Sequence, residues 1–300
     1  MDDRQNRMER MERMTEKENW IIEARDVSFS YEGDDKKALD HISLKIRKGS
    51  RVAFMGGNGS GKSTFFLCLN GIHRPDSGTI SIDGKPVRYQ RKGLLDVRRK
   101  VGIVFQEPDD QLFSASVYEE ISFGVQNLGV DEARAKQEVE RVIEELDIAP
   151  FQDRPVHALS GGQKKQVAIA DILVMHPEVM ILDEPASALD PVHTRKVRGI
   201  VDRLADQGIT VLMATHDIDY AYAWSDEIVL LHEGKVLRQG TPDIVCADRE
   251  ALKQAGMEAP TVLRMYGCLR EKGLFADGSA APRSMEGLLR LLEQTENRKG

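Results

Sequence analysis

The sequence predicts a mixed α/β domain that carries a helical insert and a small accessory region at its C-terminal end. Three observations indicate this arrangement. Short apolar runs bounded by Gly and Asp recur along the chain, as strands do, and helical patterns lie between several of them. A glycine-rich loop follows one of these runs and opens a helical one. The middle of the chain shows mainly helical periodicity.

The predicted elements follow one another along the chain. Residues 1–19 are nearly all polar or charged and predict a solvated tail. Strands are predicted at Ile21–Val27, Ile42–Ile46, Val52–Met55, Thr79–Ile82, Val101–Phe105, Val179–Leu182, Thr210–Ala214 and Glu227–His232. Helical spacing recurs at Val139, Val142 and Leu146, and Asp131 is the expected N-cap of that helix.

These patterns divide the chain into a tail at residues 1–19, an α/β domain at 20–242 and an accessory region at 243–300. The helical insert covers about residues 107–175 of the domain. The accessory region contains a predicted helix around Met285–Gln294 and has no assigned role.

Composition and charge limit the functions that the chain can have. The chain has 300 residues, and its formal net charge of −7 argues against nucleic acid as the main partner. No apolar run approaches the roughly 20 residues that span a bilayer, and the polar N-terminus is unlike a secretory signal. Three scattered cysteines suggest reduced thiols in a cytoplasmic protein. Any role at a membrane is therefore expected to come through a partner.

A phosphate-binding loop, the P-loop, follows the predicted strand Val52–Met55 and fits GxxxxGK[ST] in the required strand–loop–helix context. It consists of Gly56, Gly57, Asn58, Gly59, Ser60, Gly61, Lys62, Ser63 and Thr64. Glycines let successive N–H groups form an anion nest, and the next helix directs its positive dipole end at the phosphates. Lys62 is predicted to reach the β- and γ-phosphates, and Ser63 to bind Mg²⁺. A simple glycine-rich turn, the alternative, leaves the Lys-Ser pair unexplained.

An acidic pair ends the predicted strand Val179–Leu182. Asp183 is poised to hold Mg²⁺, and the adjacent Glu184 can orient and polarise the attacking water as a catalytic base. Alone, such a run followed by Asp-Glu-Pro is often a strand leading into a turn. Downstream of a P-loop it predicts a hydrolytic site.

The segment Leu159-Ser160-Gly161-Gly162-Gln163, called here the signature, decides the family. It resembles the signature sequence of ABC-type ATPases, which other P-loop proteins lack. Ser160 would also act as an N-cap, so the turn forms a second phosphate-binding helix terminus. The resemblance covers about residues 21–242. It implies a P-loop NTPase fold with an ABC-type ATPase core, an antiparallel β subdomain and an inserted helical subdomain.

Further positions match this family in order. The resemblance implies that Tyr31 stacks on adenine, and that Gln106 contacts Mg²⁺ and senses the transport partner. Ser187-Ala188-Leu189-Asp190 resembles the D-loop, which lies across the dimer interface. His216 is similar to the switch histidine that contacts the γ-phosphate. Gln166 departs from the pattern, which commonly has arginine there.

The predicted site therefore has three overlapping sets. The catalytic residues are Lys62, Gln106, Glu184 and His216. The residues expected to bind Mg²⁺ are Ser63, Gln106 and Asp183. ATP is expected to contact Tyr31, the P-loop of one chain, and Ser160, Gly161, Gly162, Gln163 and Asp190 of a partner chain.

Three segments indicate a branch of the family. Val104–Phe113, Val117–Gly124 and Gln163–Ala170 look like the ATPases of energy-coupling-factor importers, including cobalt and nickel uptake systems. This resemblance implies two ATPases, identical or paralogous, beneath a transmembrane coupling protein and a separate substrate-capture membrane protein. The chain would then lie peripherally at the cytoplasmic face of the membrane. The cargo would be a vitamin or a transition-metal ion that the ATPase does not contact.

The acidic side chains that follow Gln106 are a candidate contact with that coupling protein. Glu107, Asp109 and Asp110 repel one another unless they are solvated or matched by positive charge. They are therefore expected either to form a solvated loop or to receive basic residues of the coupling protein.

Other functions remain open at this point. The chain could serve another ABC transporter, including an exporter. A soluble ABC ATPase of DNA repair or translation would usually carry coiled coils or two cassettes, and neither is seen. A non-catalytic partner is disfavoured because Lys62, Asp183, Glu184 and His216 are all present.

Overall fold

The computed structural model describes residues 19–126, 129–275 and 280–296. The predicted tail lies outside these ranges except for Asn19. Within them, strands form two sheets. A four-stranded antiparallel sheet has the order β2-β1-β4-β5, with β1 at Trp20–Phe29, β2 at Leu39–Arg47, β4 at Ser77–Ile82 and β5 at Lys85–Pro86.

A six-stranded sheet forms the centre of the molecule, with the order β10-β9-β3-β8-β7-β6. Its strands are β3 at Arg51–Met55, β6 at Val101–Val104, β7 at Val179–Asp183, β8 at Thr210–Ala214, β9 at Glu227–His232 and β10 at Lys235–Gly240. Strands β6, β7, β8, β3 and β9 run parallel, and β10 pairs antiparallel with β9. The parallel strands are almost continuously apolar because both faces of the sheet are covered.

The helices cover this sheet and form the insert. They are α1 at Lys62–Leu69, α2 at Arg91–Lys100, α3 at Val117–Gln126, α4 at Glu132–Glu145, α5 at Gly161–Leu173, α6 at Pro191–Asp206, α7 at Ile218–Trp224, α8 at Pro242–Ala247, α9 at Arg249–Gln254, α10 at Thr261–Glu271 and α11 at Met285–Glu296. Helices α3, α4 and α5 pack on one another in the middle of the chain. Asp131 caps α4 by accepting from Arg134 N at 3.0 Å, which confirms the predicted N-cap.

The C-terminal helices share a core with the central sheet. Val245, Leu252 and Tyr266 cluster with Met55 of β3 and Leu230 of β9. The predicted helix around Met285–Gln294 is confirmed as α11, but α8, α9 and α10 were not predicted. Among the described residues, no helix is both long enough and apolar enough to cross a membrane.

Candidate active site

The predicted site residues follow neighbouring strands at one edge of the central sheet. The P-loop follows β3, His216 follows β8, Asp183 ends β7 and Gln106 follows β6. Cα partners in adjacent strands show that Ala214 is level with both Phe54 and Asp183. Because these strands are parallel, their carboxyl ends open at the same edge, where ligands bind in such sheets.

The P-loop requires glycine at its closest approaches. Gly56 has φ +143°, and a Cβ there would lie 2.2 Å from Leu231 O. Gly61 precedes α1 with φ +103°, and a Cβ would lie 2.8 Å from Ala38 O. A side chain at either position would therefore displace backbone, so the glycines fix the path of the loop.

Lys62 is folded onto its own loop. Its Nζ donates to Gly56 O at 2.8 Å and to Gly57 O at 3.2 Å. Burial lowers the pKa of Lys62, and the carboxylates of Glu184 and Asp183 oppose that shift. The ammonium thus lies in a partly dehydrated position near the anion nest, where a phosphate oxygen would be a stronger acceptor than a carbonyl.

Glu184 lies beside His216 at the end of β7. His216 Nε2 is 3.2 Å from Glu184 Oε1, yet within the described ranges that oxygen is buried and accepts no hydrogen bond. Burial raises the pKa of Glu184, while His216 and Lys62 act in the opposite direction. A buried acceptor without a donor is a ready partner for a water molecule.

The oxygen donors near the P-loop fit Mg²⁺ bound together with a nucleotide. The described residues contain no group of three or more His, Cys, Asp or Glu that could hold a metal by themselves. Nucleotide-bound Mg²⁺ needs only one or two protein oxygens in addition to phosphates and waters. The buried carboxylate of Asp183 and the hydroxyl of Ser63, in the first turn of α1, are donors of this type. Gln106 is exposed on the loop after β6.

Tyr31 stands over the start of α1. Its hydroxyl lies 3.0 Å from Thr64 Oγ1, and its ring meets Phe29 and His73 in edge-to-face geometry. The side chain remains 41% exposed. An aromatic ring held in this way beside a phosphate-binding loop can stack on a nucleobase.

The signature forms the N-terminus of α5. Ser160 Oγ accepts from Gln163 N at 3.3 Å, and Ser160 N donates to Gln163 Oε1 at 3.0 Å. This capping box confirms Ser160 as an N-cap. A Cβ at Gly162 would lie 2.2 Å from His193 Cδ2, so His193 packs directly on the signature.

Asp190 of the D-loop caps α6. It accepts from Val192 N at 2.8 Å and His193 N at 3.0 Å, and its other oxygen pairs with His193 Nδ1. These bonds, led by those from His193, lower the pKa of Asp190. Because His193 touches both Asp190 and Gly162, the signature and the D-loop meet within one chain.

Comparisons with known proteins agree with this geometry. The family described as "ABC transporter" matches residues 39–187. An energy-coupling factor transporter ATP-binding protein of Methanospirillum hungatei is 40% identical over 92% of this chain and 69% of its own length. The chain belongs to the ABC transporter ATPase family. As an ABC ATPase it binds ATP and couples ATP hydrolysis to transport.

Two solved structures resemble this ABC ATPase. The first is cbiO1 of Clostridium perfringens, described as part of the ABC transporter complex cbiONQ. It has a TM-score of 0.71 and 41% identity, over 85% of this chain and 100% of that one. The second is a dimeric ATP-binding cassette in a post-hydrolysis state with ADP and phosphate, at a TM-score of 0.67 and 26% identity. It covers 74% of this chain and 98% of that one.

The predicted residues of the ABC ATPase fall into two groups. Lys62, Asp183, Glu184 and His216 converge at the sheet edge, whereas the signature and Asp190 form a second group on α5 and α6. Gln106 is connected to the second group, because its carbonyl oxygen accepts from Lys165 Nζ on α5.

The sequence did not predict the contacts by which α5 holds the loop after β6. Lys165 is only 2% exposed and also donates to Phe105 O at 3.2 Å. Gln111 Nε2 donates to Ala168 O at 2.9 Å and to Asp171 Oδ2 at 3.1 Å. Lysines after a signature are expected to be solvated, and only the tertiary structure shows that one of them is enclosed.

Two polar side chains discussed from the sequence, Asp109 and Gln166, have partners within the chain. Asp109 forms an ion pair with Lys164 of the same chain at 2.5 Å, so it has a partner without any coupling protein. Gln166, the departure from the family pattern, is buried and donates to Leu146 O at 2.9 Å, at the end of α4. Glutamine at this position therefore has a structural contact.

Proposed function

We propose that this chain powers an importer of the energy-coupling-factor type, whose cargo is a vitamin or a transition-metal ion such as cobalt or nickel. The observation that carries the proposal is the 40% identity to an energy-coupling factor transporter ATP-binding protein over 92% of the chain. In this function the chain lies at the cytoplasmic face of the membrane, beneath a transmembrane coupling protein and a substrate-capture protein.

The proposed chemistry is an in-line attack of water on the γ-phosphate of ATP. The new bond from the water oxygen to the γ-phosphorus replaces the bond to the β–γ bridging oxygen, so ADP leaves and phosphate forms. Lys62 exchanges its carbonyl acceptors for phosphate oxygens, and Tyr31 stacks on the adenine ring of ATP. The buried Oε1 of Glu184 accepts a hydrogen bond from the attacking water, while the adjacent His216 contacts the γ-phosphate. Mg²⁺, held by Asp183 and Ser63 and approached by Gln106, would neutralise charge on the phosphates.

The signature is proposed to complete the site of a partner chain. The N-terminus of α5 ends in a capped turn of two glycines, which suits an anion. Asp190 lies next to the signature, because His193 contacts both Asp190 and Gly162. The dimeric cassette with ADP and phosphate supports a working unit of two chains.

A pair of exposed aromatic rings is the proposed contact with the coupling protein. Phe113 is 68% exposed and Phe123 is 47% exposed, with ring centroids 5.1 Å apart in edge-to-face geometry. Phe113 lies between the loop that carries Gln106 and helix α3, and Phe123 lies on α3. Exposed aromatic side chains that contact each other at a surface are typical of residues that a partner covers.

The variant Glu184→Gln tests the proposal in proteoliposomes that contain the chain, its coupling protein and its capture protein. The variant keeps the shape of the side chain but loses the carboxylate, so turnover should fall by about 100- to 10,000-fold. ATP binding and assembly should persist, and ATP-dependent uptake of labelled Co²⁺, Ni²⁺ or a vitamin should stop.

Two results would contradict different parts of the proposal. Near-normal turnover by Glu184→Gln would show that this carboxylate is not the catalytic base. An active wild-type chain that assembles with no coupling protein, and drives no uptake of any of these cargoes, would exclude the importer role.

A further inference from the structure

Helix α2 and the turn before it carry a dense positive charge. Residues 85–100 include seven basic side chains and one acidic one, in a chain whose formal net charge is −7. The charge of this segment is therefore opposite in sign to that of the whole molecule, so the segment is a distinct positively charged region.

Most of these cations are not used inside the protein. Lys100 forms ion pairs with Asp83 at 2.6 Å and Glu178 at 2.9 Å, so it serves the fold. Between Pro86 and Lys100, four exposed cations have no carboxylate partner among the residues that the structure describes; they are Arg88, Arg91, Lys92 and Arg98. We call these four residues together with Leu95 the basic face.

The basic face has an apolar centre. Leu95 is 48% exposed, and it lies four residues after Arg91 and three before Arg98, so all three share one side of α2. The opposite side carries Val97, which is buried in the core beside Val101 of β6. Leu95 can enter the outermost apolar layer of a bilayer while the Lys and Arg side chains around it contact anionic headgroups.

The position of α2 makes the basic face accessible. Helix α2 packs against β6, which is the edge strand of the central sheet, so its outer side is at the border of the molecule. A cavity of about 530 Å³ opens between α2 and strands β4 and β5, and its charged lining residues are Lys85, Arg88, Arg99, Lys100 and a single carboxylate, Asp96. Such a basic recess beside an exposed helix suits a phosphate headgroup.

We propose that the basic face binds the anionic headgroups of the lipid bilayer directly. The inference rests on the proposed function, which brings the chain to a membrane but assigns that contact to a protein partner. Each Lys or Arg near an anionic surface strengthens binding by about fivefold, so the four cations of the basic face together should give a much higher affinity than one alone. Leu95 favours a bilayer over nucleic acid, because phosphates of a nucleic acid offer no apolar layer for it to enter.

Flotation of the purified chain with lipid vesicles tests this contact. The wild type should bind vesicles of phosphatidylcholine mixed with phosphatidylglycerol, in a salt-sensitive way, and should not bind phosphatidylcholine alone. The fourfold variant Arg88→Gln, Arg91→Gln, Lys92→Gln and Arg98→Gln should bind the anionic vesicles about 100-fold more weakly. Leu95→Ala should weaken binding several-fold, and this loss should persist at high salt.

The matched control removes the same charge elsewhere. Arg249, Lys253, Arg270 and Lys272 are exposed on or beside helices α9 and α10, and have no ion pair within the described ranges. Changing all four to Gln gives the same net charge, but should leave vesicle binding within about threefold of the wild type if the basic face is the contact.

Several outcomes would overturn the proposal. Equal loss in both fourfold variants would show that binding follows net charge, and no wild-type binding would exclude a lipid contact. Duplex DNA could also compete fully with the vesicles, with an affinity that Leu95→Ala leaves unchanged. That result would identify the basic face as a general polyanion surface. Failure of the importer role is distinguishable, because it would appear as absent uptake while vesicle binding and ATPase activity are retained.

Discussion

Glu184 holds a backbone conformation that its residue type rarely adopts. Its φ is +47°, and Ala188 in the D-loop has φ +58°. Such left-handed residues cost about 1–3 kcal/mol each and cluster at functional sites. The sequence predicted the acidic pair at the end of β7. It could not predict this strain, because neither Glu nor Ala indicates a positive φ as glycine does.

Asp171 is a second residue whose environment the sequence conceals. It lies on α5, and its Oδ2 accepts from Gln111 Nε2 at 3.1 Å. Burial raises the pKa of Asp171 to about 7; the bond from Gln111 lowers it, and Glu120 adds to the rise. Gln111 and Glu120 come from separate segments, so their meeting at Asp171 depends on the packing of α3 on α5.

Asp171→Asn should therefore change how stability depends on pH. The folded pKa of about 7 lies above the ordinary value of 3.8, so the wild type loses stability as the pH rises from about 4 to 7. The slope is at most about 1.4 kcal/mol per pH unit. The amide of the variant does not titrate, so the variant lacks this loss. The free energy of unfolding of the variant should therefore increase relative to that of the wild type across this range.

Urea unfolding of both proteins between about pH 4.5 and 9 measures this difference. The free energy of unfolding of the variant minus that of the wild type should rise with pH and level off above about pH 8. Curves that are parallel throughout the range would contradict a raised pKa at Asp171.

At the scale of elements, α5 connects two parts of the machinery. Its N-terminus is the signature, and its Lys165 and Asp171 hold the loop after β6 through Gln106 O and Gln111. A movement imposed on that loop by a partner would therefore reach the signature without an intervening flexible joint. The capping box of Ser160 and Gln163 was predictable from residue types, but the burial of Lys165 was not.

Lys165→Met tests this connection, because it keeps the length of the side chain and removes its donor. Phe105 O and Gln106 O lose their charged partner, so the loop should no longer hold Gln106 in place. We expect kcat for ATP to fall by about tenfold or more, while KM stays within about twofold, since the P-loop and Tyr31 are untouched.

The neighbouring lysine provides the control for this measurement. Lys164 pairs with Asp109, whose side chain is largely exposed, and such pairs contribute little. Lys164→Met should keep kcat near the wild-type value. Equal losses in the two variants, or a change confined to KM in Lys165→Met, would argue against a positioning role for Lys165.

Elements were predictable where their own residues dictate them. The buried strands β3, β7, β8 and β9 are short, apolar and bounded by turns, and all four were predicted. Strand β10 is largely polar, and helices α8, α9 and α10 are short, so their conformation depends on the sheet that they cover. Those elements carried no periodicity strong enough to predict.

At the scale of the molecule, the proposed function assigns to each chain two half-sites that belong to different ATP sites. The sheet edge presents Lys62 and Glu184, and the surface of α5 presents Ser160. A two-fold dimer of identical chains would bring each P-loop to the partner's signature and make both sites equivalent, whereas a paralogous partner would make them differ. The N-termini of α1 and α5 would then both point N–H groups at the same phosphates.

Mixing two inactive variants tests this shared site most directly. Lys62→Ala disables the P-loop, and Ser160→Arg blocks the signature, so each homodimer has two defective sites. If the site forms between chains, a mixed dimer keeps one intact site, and ATPase activity of the mixture should rise to about a quarter of the wild-type value. If the mixture is no more active than either variant alone, the site does not form between two copies of this chain.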